Sequence, residues 1–187
     1  MHRTAALNLL RDHAAGVLDP IERAMVVDAV AFIGAHSDCL RRSCLPGHLT
    51  GSSWILDSAR TRTVLTLHRK LDRWLNPGGH ADGDPDLLAV ALREAREESG
   101  LTGLRAPSGA LFDFDRHWIP ERPDVPGHWH YDFRFLLVAD PAEPLRMTPE
   151  SKDLRWVGLD AVPALNPSES IARMLRKTAA LPRLAGF

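Results

Sequence analysis

Apolar residues near the start of the chain recur every three to four positions. Leu7, Leu10, Ala14 and Val17-Leu18 form such a stripe, which predicts helix from residue 4 to about 40. Asp19-Pro20 interrupts it, reading as an N-cap followed by proline at the first helical position. The helix it opens carries Ile21, Ala24, Met25, Val30 and Phe32. Gly47 to Gly51 reads as a connector, and from Ser52 the period changes. Ser53–Asp57 and Thr63–Arg69 are strand-like runs joined by a turn at Ser58–Thr61. Helical spacing returns at Leu88, Ala91, Leu92 and Ala95. Asp84-Pro85 caps that helix, Asp86 sits in its first turn, and Gly100 ends it. Leu111–Ile119 and His130–Ala139 predict two further strands around a proline-rich loop, Pro120–Gly127. Leu154–Val157 predicts a short strand, and Ser168–Thr178 a last helix capped by Ser168.

The 187 residues suffice for one ordinary domain plus a small extension. Lys plus Arg number 23 and Asp plus Glu 24, so net charge gives no indication of a polyanion-binding surface. No apolar run reaches the roughly 18 residues of a membrane span, and the N-terminus does not read as a secretory signal. Two cysteines make no disulfide framework. These features predict a soluble, cytoplasmic protein. His36, Cys39, Cys44 and His48 fall within a short window and are weighed as a tetrahedral Zn²⁺ set. Their spacing does not match a standard finger, and buried free thiols are the default.

The chemistry concentrates in Gly79–Leu101. Glu94, Glu97 and Glu98 stand at i, i+3 and i+4, so a helix gathers the three carboxylates on one face. Like charges there call for a cation, and oxygen donors suit a hard divalent ion such as Mg²⁺. The loop Asn76–His80 brings backbone to the same spot. His80, and the pair His128 and His130 on one face of a strand, are candidates to touch a metal or phosphate. Arg69, Lys70, Arg73 and Arg116 are candidate phosphate contacts, because guanidinium matches phosphate oxygens in a fork. Trp118, Trp129 and Tyr131 offer rings to stack on a base or sugar.

This stretch resembles the signature of the Nudix hydrolase family. Arg93, Glu94, Ala95, Glu97, Glu98, Gly100 and Leu101 fit its second half, and Gly79 fits its opening glycine. Pro85 holds the position of its first glutamate, with Asp82, Asp84 and Asp86 around it. The resemblance implies an α/β fold, a mixed sheet sandwiched between helices, at residues 49–187, with 1–48 a helical N-terminal extension. It also implies hydrolysis of a nucleoside diphosphate linked to another group, with Mg²⁺ or Mn²⁺. In that reading Glu97 and Glu98 are metal ligands, Glu94 a ligand or base, and Gly79 a carbonyl donor. Arg93 orients the carboxylates by a salt bridge toward Glu97. Glu150 is the expected further carboxylate from outside the motif, with Asp132 and Asp153 as rivals. The partner is a small nucleotide diphosphate, with neither membrane nor DNA expected and a homodimer possible. Two other readings stay open: a catalytically inactive nucleotide-binding regulator, and an enzyme like isopentenyl diphosphate isomerase, which holds its metal through histidines.

Overall fold

The computed structural model describes residues 2–16 and 18–182; Val17 of the first predicted stripe lies outside the described residues. The chain runs α1 (Thr4–Ala14), α2 (Pro20–Ala35), β1 (Gly47–Asp57), β2 (Arg62–His68), β3 (Arg73–Leu75), β4 (Gly78–His80) and α3 (Leu87–Ser99). It continues β5 (Asp113–Ile119), β6 (His128–Ala139), β7 (Ser151–Gly158), α4 (Val162–Leu165) and α5 (Glu169–Ala180). The Asp19 carboxylate accepts the Glu22 N–H at 2.8 Å and Pro20 opens α2, as the sequence predicts. That helix ends at Ala35, short of the predicted residue 40.

Two boundaries move. The cap of α3 is Asp86, whose side chain accepts the Ala89 N–H at 3.0 Å. Asp84 instead accepts the Asp86 N–H at 2.9 Å and shapes the turn before the helix. Gly47–Gly51, expected to be a connector, forms the first half of β1. Gly51 serves there as a strand residue beside a helix. A Cβ on it would lie 2.7 Å from the Leu87 carbonyl, so glycine lets the start of α3 sit directly on the sheet.

The sheet runs β3-β2-β1-β6-β5, with β4 added to β1 and β7 to β2. β1 and β6 are parallel and in register from Gly47 opposite Trp129 to Asp57 opposite Ala139; the other pairings are antiparallel. Successive side chains of a strand point to opposite faces, which divides the two central strands cleanly. Leu49 of β1 and Tyr131, Phe133 and Phe135 of β6 pack with α1, α2 and the start of α3. Trp54 and Leu56 of β1 face the other way, onto Val162, Ile171 and Met174 of α4 and α5. The result is a mixed sheet with helices on both faces, the α/β/α arrangement that the resemblance implies.

The N-terminal helices join the core. Met25, Val26, Ala29 and Ile33 belong to the same apolar cluster as Tyr131 and Phe133, and the Phe32 ring stacks on Tyr131 with centroids 4.2 Å apart. Glu22 is fully buried and accepts the Phe114 N–H at 3.0 Å and Lys177 Nζ at 2.5 Å, linking α2, β5 and α5.

A buried ion network locks β5, β6 and α5. Arg134 donates to Asp132 at 2.8 Å and Asp115 at 3.2 Å, while Arg173 grips both oxygens of Asp113, at 2.7 and 2.8 Å. The guanidinium groups of Arg134 and Arg173, with hydrogen bonds from Arg173 to Asp113 and from His117 to Asp115, overcome burial and hold both carboxyls below the usual carboxylate range. A depressed acid value means the folded chain binds these protons more weakly than the unfolded one. The network's stabilisation is therefore present above about pH 4 and lost as pH falls through the acid range. Thermal melts from pH 6 to pH 2 should show a steep loss of stability below about pH 4 that Asp115→Asn flattens. An equally steep fall in that variant would rule out Asp115 as a source.

Candidate active site

The buried stripe of α3, chiefly Leu87, Val90, Ala91 and Ala95, fixes how the helix lies on the sheet. Its acidic residues are thereby turned toward β4. Gly79 of β4 sits against Glu94: a Cβ on Gly79 would come 2.4 Å from the Glu94 carboxylate, so any larger residue would fill the seat. Arg93 Nη2 donates to Glu94 Oε1 at 2.9 Å and to the His80 carbonyl at 3.2 Å. It thus ties the helix to β4 through Glu94, rather than reaching Glu97 as its spacing suggests. Glu97 is exposed, whereas Glu94 lies half-buried where Arg93 can bridge to β4 backbone.

Glu98 is strongly perturbed. Burial, then the negative charges of Glu94 and Glu150, push its carboxyl up to about 8, against the pull of the Gly78 N–H. Glu94, Glu97, Glu98 and Glu150 all line one cleft, together with Asp82, Asp84, Arg42 and His80. Glu150 arrives on the segment before β7. Arg69 braces that segment, donating to the Pro149 and Ser151 carbonyls at 2.8 Å each, while its own N–H donates to the Glu150 carbonyl at 2.8 Å. Arg69, expected to touch phosphate, is therefore a strut beneath the Glu150 loop. Of the aspartates around Pro85, Asp82 and Asp84 line the cleft, Asp82 clasped by Arg42 at 2.7 and 2.6 Å; Asp86 is spent on the helix cap.

A second recess, of about 620 Å³, opens on the α5 side of the sheet and shares Arg42, His68, Gly78, Gly79 and His80 with the first. Its floor is polar strand: His48, Thr50 and Ser52 of β1 beside His128, His130, Asp132 and Arg134 of β6. Asp132 accepts from Thr50 at 2.8 Å and Ser52 at 2.6 Å, and thus belongs to this floor rather than to the carboxylate patch. Asp153, the other rival, pairs with Arg155. Burial above all holds His48 and His80 down to about 4 and His130 far lower, so these rings are neutral at neutral pH.

The structure does not bring Arg116, Trp129 or Tyr131 to either recess. They point from β5 and β6 to the opposite face, where α2 covers them. Arg116 donates to Asp28 at 2.7 Å with its guanidinium 4.3 Å from the centre of the Trp129 ring, and the Tyr131 hydroxyl donates to Asp28 at 3.1 Å. His36, Cys39, Cys44 and His48 do not converge as one ligand set among the described residues. His36 and Cys44 approach Asp38, while His48 joins His128 and His130. Both thiols are buried and pushed up by it, Cys44 to about 11, which keeps them protonated. The residues that sequence reasoning missed are His48, Thr50, Ser52 and Arg134 as parts of a recess. Their signal was present as polar side chains at alternate positions, His-x-Thr-x-Ser and His-x-His-x-Asp-x-Arg, inside buried strands.

Paired carboxylates on a helix, a glycine seat and a braced outside glutamate form a set of hard oxygen donors suited to a divalent cation. The sequence model of the NUDIX domain matches residues 48–177, and the chain belongs to that family. Among characterised relatives, m7GpppN-mRNA hydrolase NUDT17 of Bos taurus is 40% identical over 60 residues, 32% of this chain and 17% of the relative. The asymmetrical bis(5'-nucleosyl)-tetraphosphatase of Mus musculus is 28% identical over 91 residues, 48% of this chain and 58% of the relative. The chain thus spans little more than half the length of one and a small part of the other. A C. elegans Ap4A hydrolase in a binary complex superposes with a TM-score of 0.58 at 18% identity, over 71% of this chain and 95% of that one, a likeness of fold. Among the described residues no helix is long and apolar enough to cross a membrane.

Proposed function

We propose that this chain hydrolyses a pyrophosphate bond in a nucleoside diphosphate linked to a further group, using Mg²⁺ or Mn²⁺. The observation that carries the reading is the crowding of Glu94, Glu97, Glu98 and Glu150 in one cleft around the Gly79 seat, where burial and then the neighbouring carboxylates push the Glu98 carboxyl up. Glu94, Glu97, Glu98 and the Gly79 carbonyl would hold the cation. When bound, it neutralises phosphate oxygens and lowers the pKa of a coordinated water.

The chain's own residues supply the rest. Arg93 keeps Glu94 turned toward β4. Glu150, anchored by Arg69, stands ready to take a proton from the attacking water. Arg42, held by Asp82 through Nε and Nη2 and lining both recesses, is placed to meet a phosphate; the second recess takes the remainder of the substrate. The relatives support the substrate class, since a capped RNA and a bis(nucleosyl)tetraphosphate each contain a nucleoside diphosphate joined to something more.

The test is a panel of ADP-ribose, nucleotide sugars, oxidised nucleoside triphosphates, dinucleoside tetraphosphates and capped RNA. Products are separated after incubation with Mg²⁺, Mn²⁺ or chelator, in ¹⁸O-labelled water. Metal-dependent release of a nucleotide carrying the label supports hydrolysis and identifies the phosphorus attacked. Binding without turnover across the panel would replace this reading with that of a nucleotide-binding regulator.

A further inference from the structure

Five histidines, His48, His80, His117, His128 and His130, meet on one face of the sheet, and all but His80, which borders both recesses, stand apart from the carboxylate cleft. Their meeting follows from register: His48 of β1 lies opposite His130 of β6, and His130 opposite His117 of β5. Three of them surround a common point. The ring centroids of His48, His128 and His130 form a nearly equilateral triangle, with sides of 4.7, 4.8 and 5.1 Å. One ring nitrogen from each lies within 4.8 Å of the other two.

We propose that His48, His128 and His130 form a metal site separate from the carboxylate patch, which takes a borderline transition ion of the Zn²⁺ type. Two independent observations point to a ligand. His48 is 3% exposed, and neither of its ring nitrogens makes a well-formed hydrogen bond among the described residues, the Cys44 backbone being a looser polar neighbour, a costly state for a buried imidazole. His128 Nε2 and His130 Nε2 face each other at 3.2 Å, sharing one hydrogen bond that a bound ion would replace. Two nitrogens bound at about 2.0–2.1 Å to one tetrahedral ion stand about 3.3 Å apart, so this pair already has the spacing of two ligands on one centre.

The surroundings suit such a site. The Pro126 carbonyl lies 2.8 Å from His128 Nδ1 and accepts a hydrogen bond from the Nδ1–H tautomer, which leaves the Nε2 lone pair directed inward, the usual support for a metal-bound histidine. Imidazole nitrogens select Zn²⁺, Co²⁺ or similar ions over Mg²⁺, whereas the glutamates opposite favour the hard ion. Three protein ligands leave a fourth position, and the recess opens in front of it. The His80 ring, 5.0 Å from His48 and 4.9 Å from His130, flanks that opening. An ion held there can accept an anionic oxygen of a ligand that lies across β4 from the glutamates.

Metal retention is read without turnover, so the proposal stands or falls independently of the hydrolase reading. The full chain is stripped with chelator, saturated with Mg²⁺ to fill the carboxylates, and titrated with Co²⁺ or Zn²⁺. One Co²⁺ per chain with the visible absorption of a four-coordinate centre is expected, as is one Zn²⁺ retained through desalting. His130→Gln and His128→Gln should each weaken binding at least tenfold and erase the absorption, while Glu98→Gln leaves it in place. ¹⁵N-histidine spectra of the unmutated chain should show ring-nitrogen shifts for His48, His128 and His130 on adding Zn²⁺, a readout free of any folding defect in the variants. Absence of the absorption and of the ring shifts, or loss of bound ion in Glu98→Gln instead of His130→Gln, overturns the site.

Discussion

Glu98→Gln is expected to lower turnover by about a thousandfold, a loss of about 4 kcal/mol in transition-state stabilisation, with the fold intact. Glu97→Gln should fall by a similar factor. The reasoning is electrostatic. Phosphoryl chemistry gathers negative charge, and each carboxylate removed weakens the hold on the cation that offsets it. The two variants should differ in stability. Glu98 is buried among like charges and pushed up to about 8, so the metal-free fold carries a burden that grows as pH rises from its ordinary value near 4.5 through 8. Gln carries no charge to desolvate. Metal-free Glu98→Gln should therefore melt at or above the unmutated chain at pH 8, although it is nearly inactive. Steady-state rates paired with melts at pH 5.5 and pH 8 check both halves. Unchanged turnover in both variants would remove the acidic face of α3 from the chemistry.

The largest effect on stability is expected from Arg134→Ala. Arg134 is buried and donates to Asp113, Asp115 and Asp132, so its loss strands three carboxylates away from water. Breaking a buried ion pair from one side costs about 3–5 kcal/mol, which lowers the melting temperature of a chain of this size by roughly 10 °C. Arg173, Lys177 and the hydroxyls of Thr50 and Ser52 remain to shield part of that charge, which keeps the figure within the single-pair range. Urea unfolding of Arg134→Ala, Asp132→Asn and the double variant forms the test. The double variant should recover part of the loss, because Asp132 then carries no charge to leave unpaired. A cost below about 1 kcal/mol for Arg134→Ala would mean that the network adds little.

Much of this was legible along the chain. The helices themselves, the Asp19-Pro20 start and the Gly100 stop are local signals, and the structure follows them, although α2 buries Val26, Ala29 and Ile33 beside Met25 and Phe32 and leaves Ile21, Ala24 and Val30 exposed. The acidic face of α3 is local too, since one helix turn brings Glu94, Glu97 and Glu98 together. The misses share a cause in long-range placement. Nothing near His48 says that it will lie against His130, because the parallel register of β1 and β6 is set by the whole sheet. Alternation showed that Trp129 and Tyr131 share a face but not which face, and the covering α2 decided that. β3 and β4 are three residues each, too short to carry a pattern, and exist because neighbouring strands hold them. Gly51 looked like a turn because glycine serves turns and close approaches alike.

The place of α2 has a practical consequence for anyone cloning this chain. The span that evolution stamps with the family pattern starts at residue 48, yet the Phe114 amide and the Tyr131 ring rely on Glu22 and Phe32 for their shelter. An expression boundary drawn at the family limit would uncover a greasy wall and orphan a buried amide. The hereditary unit and the smallest piece fit to be purified are, in this molecule, two different lengths.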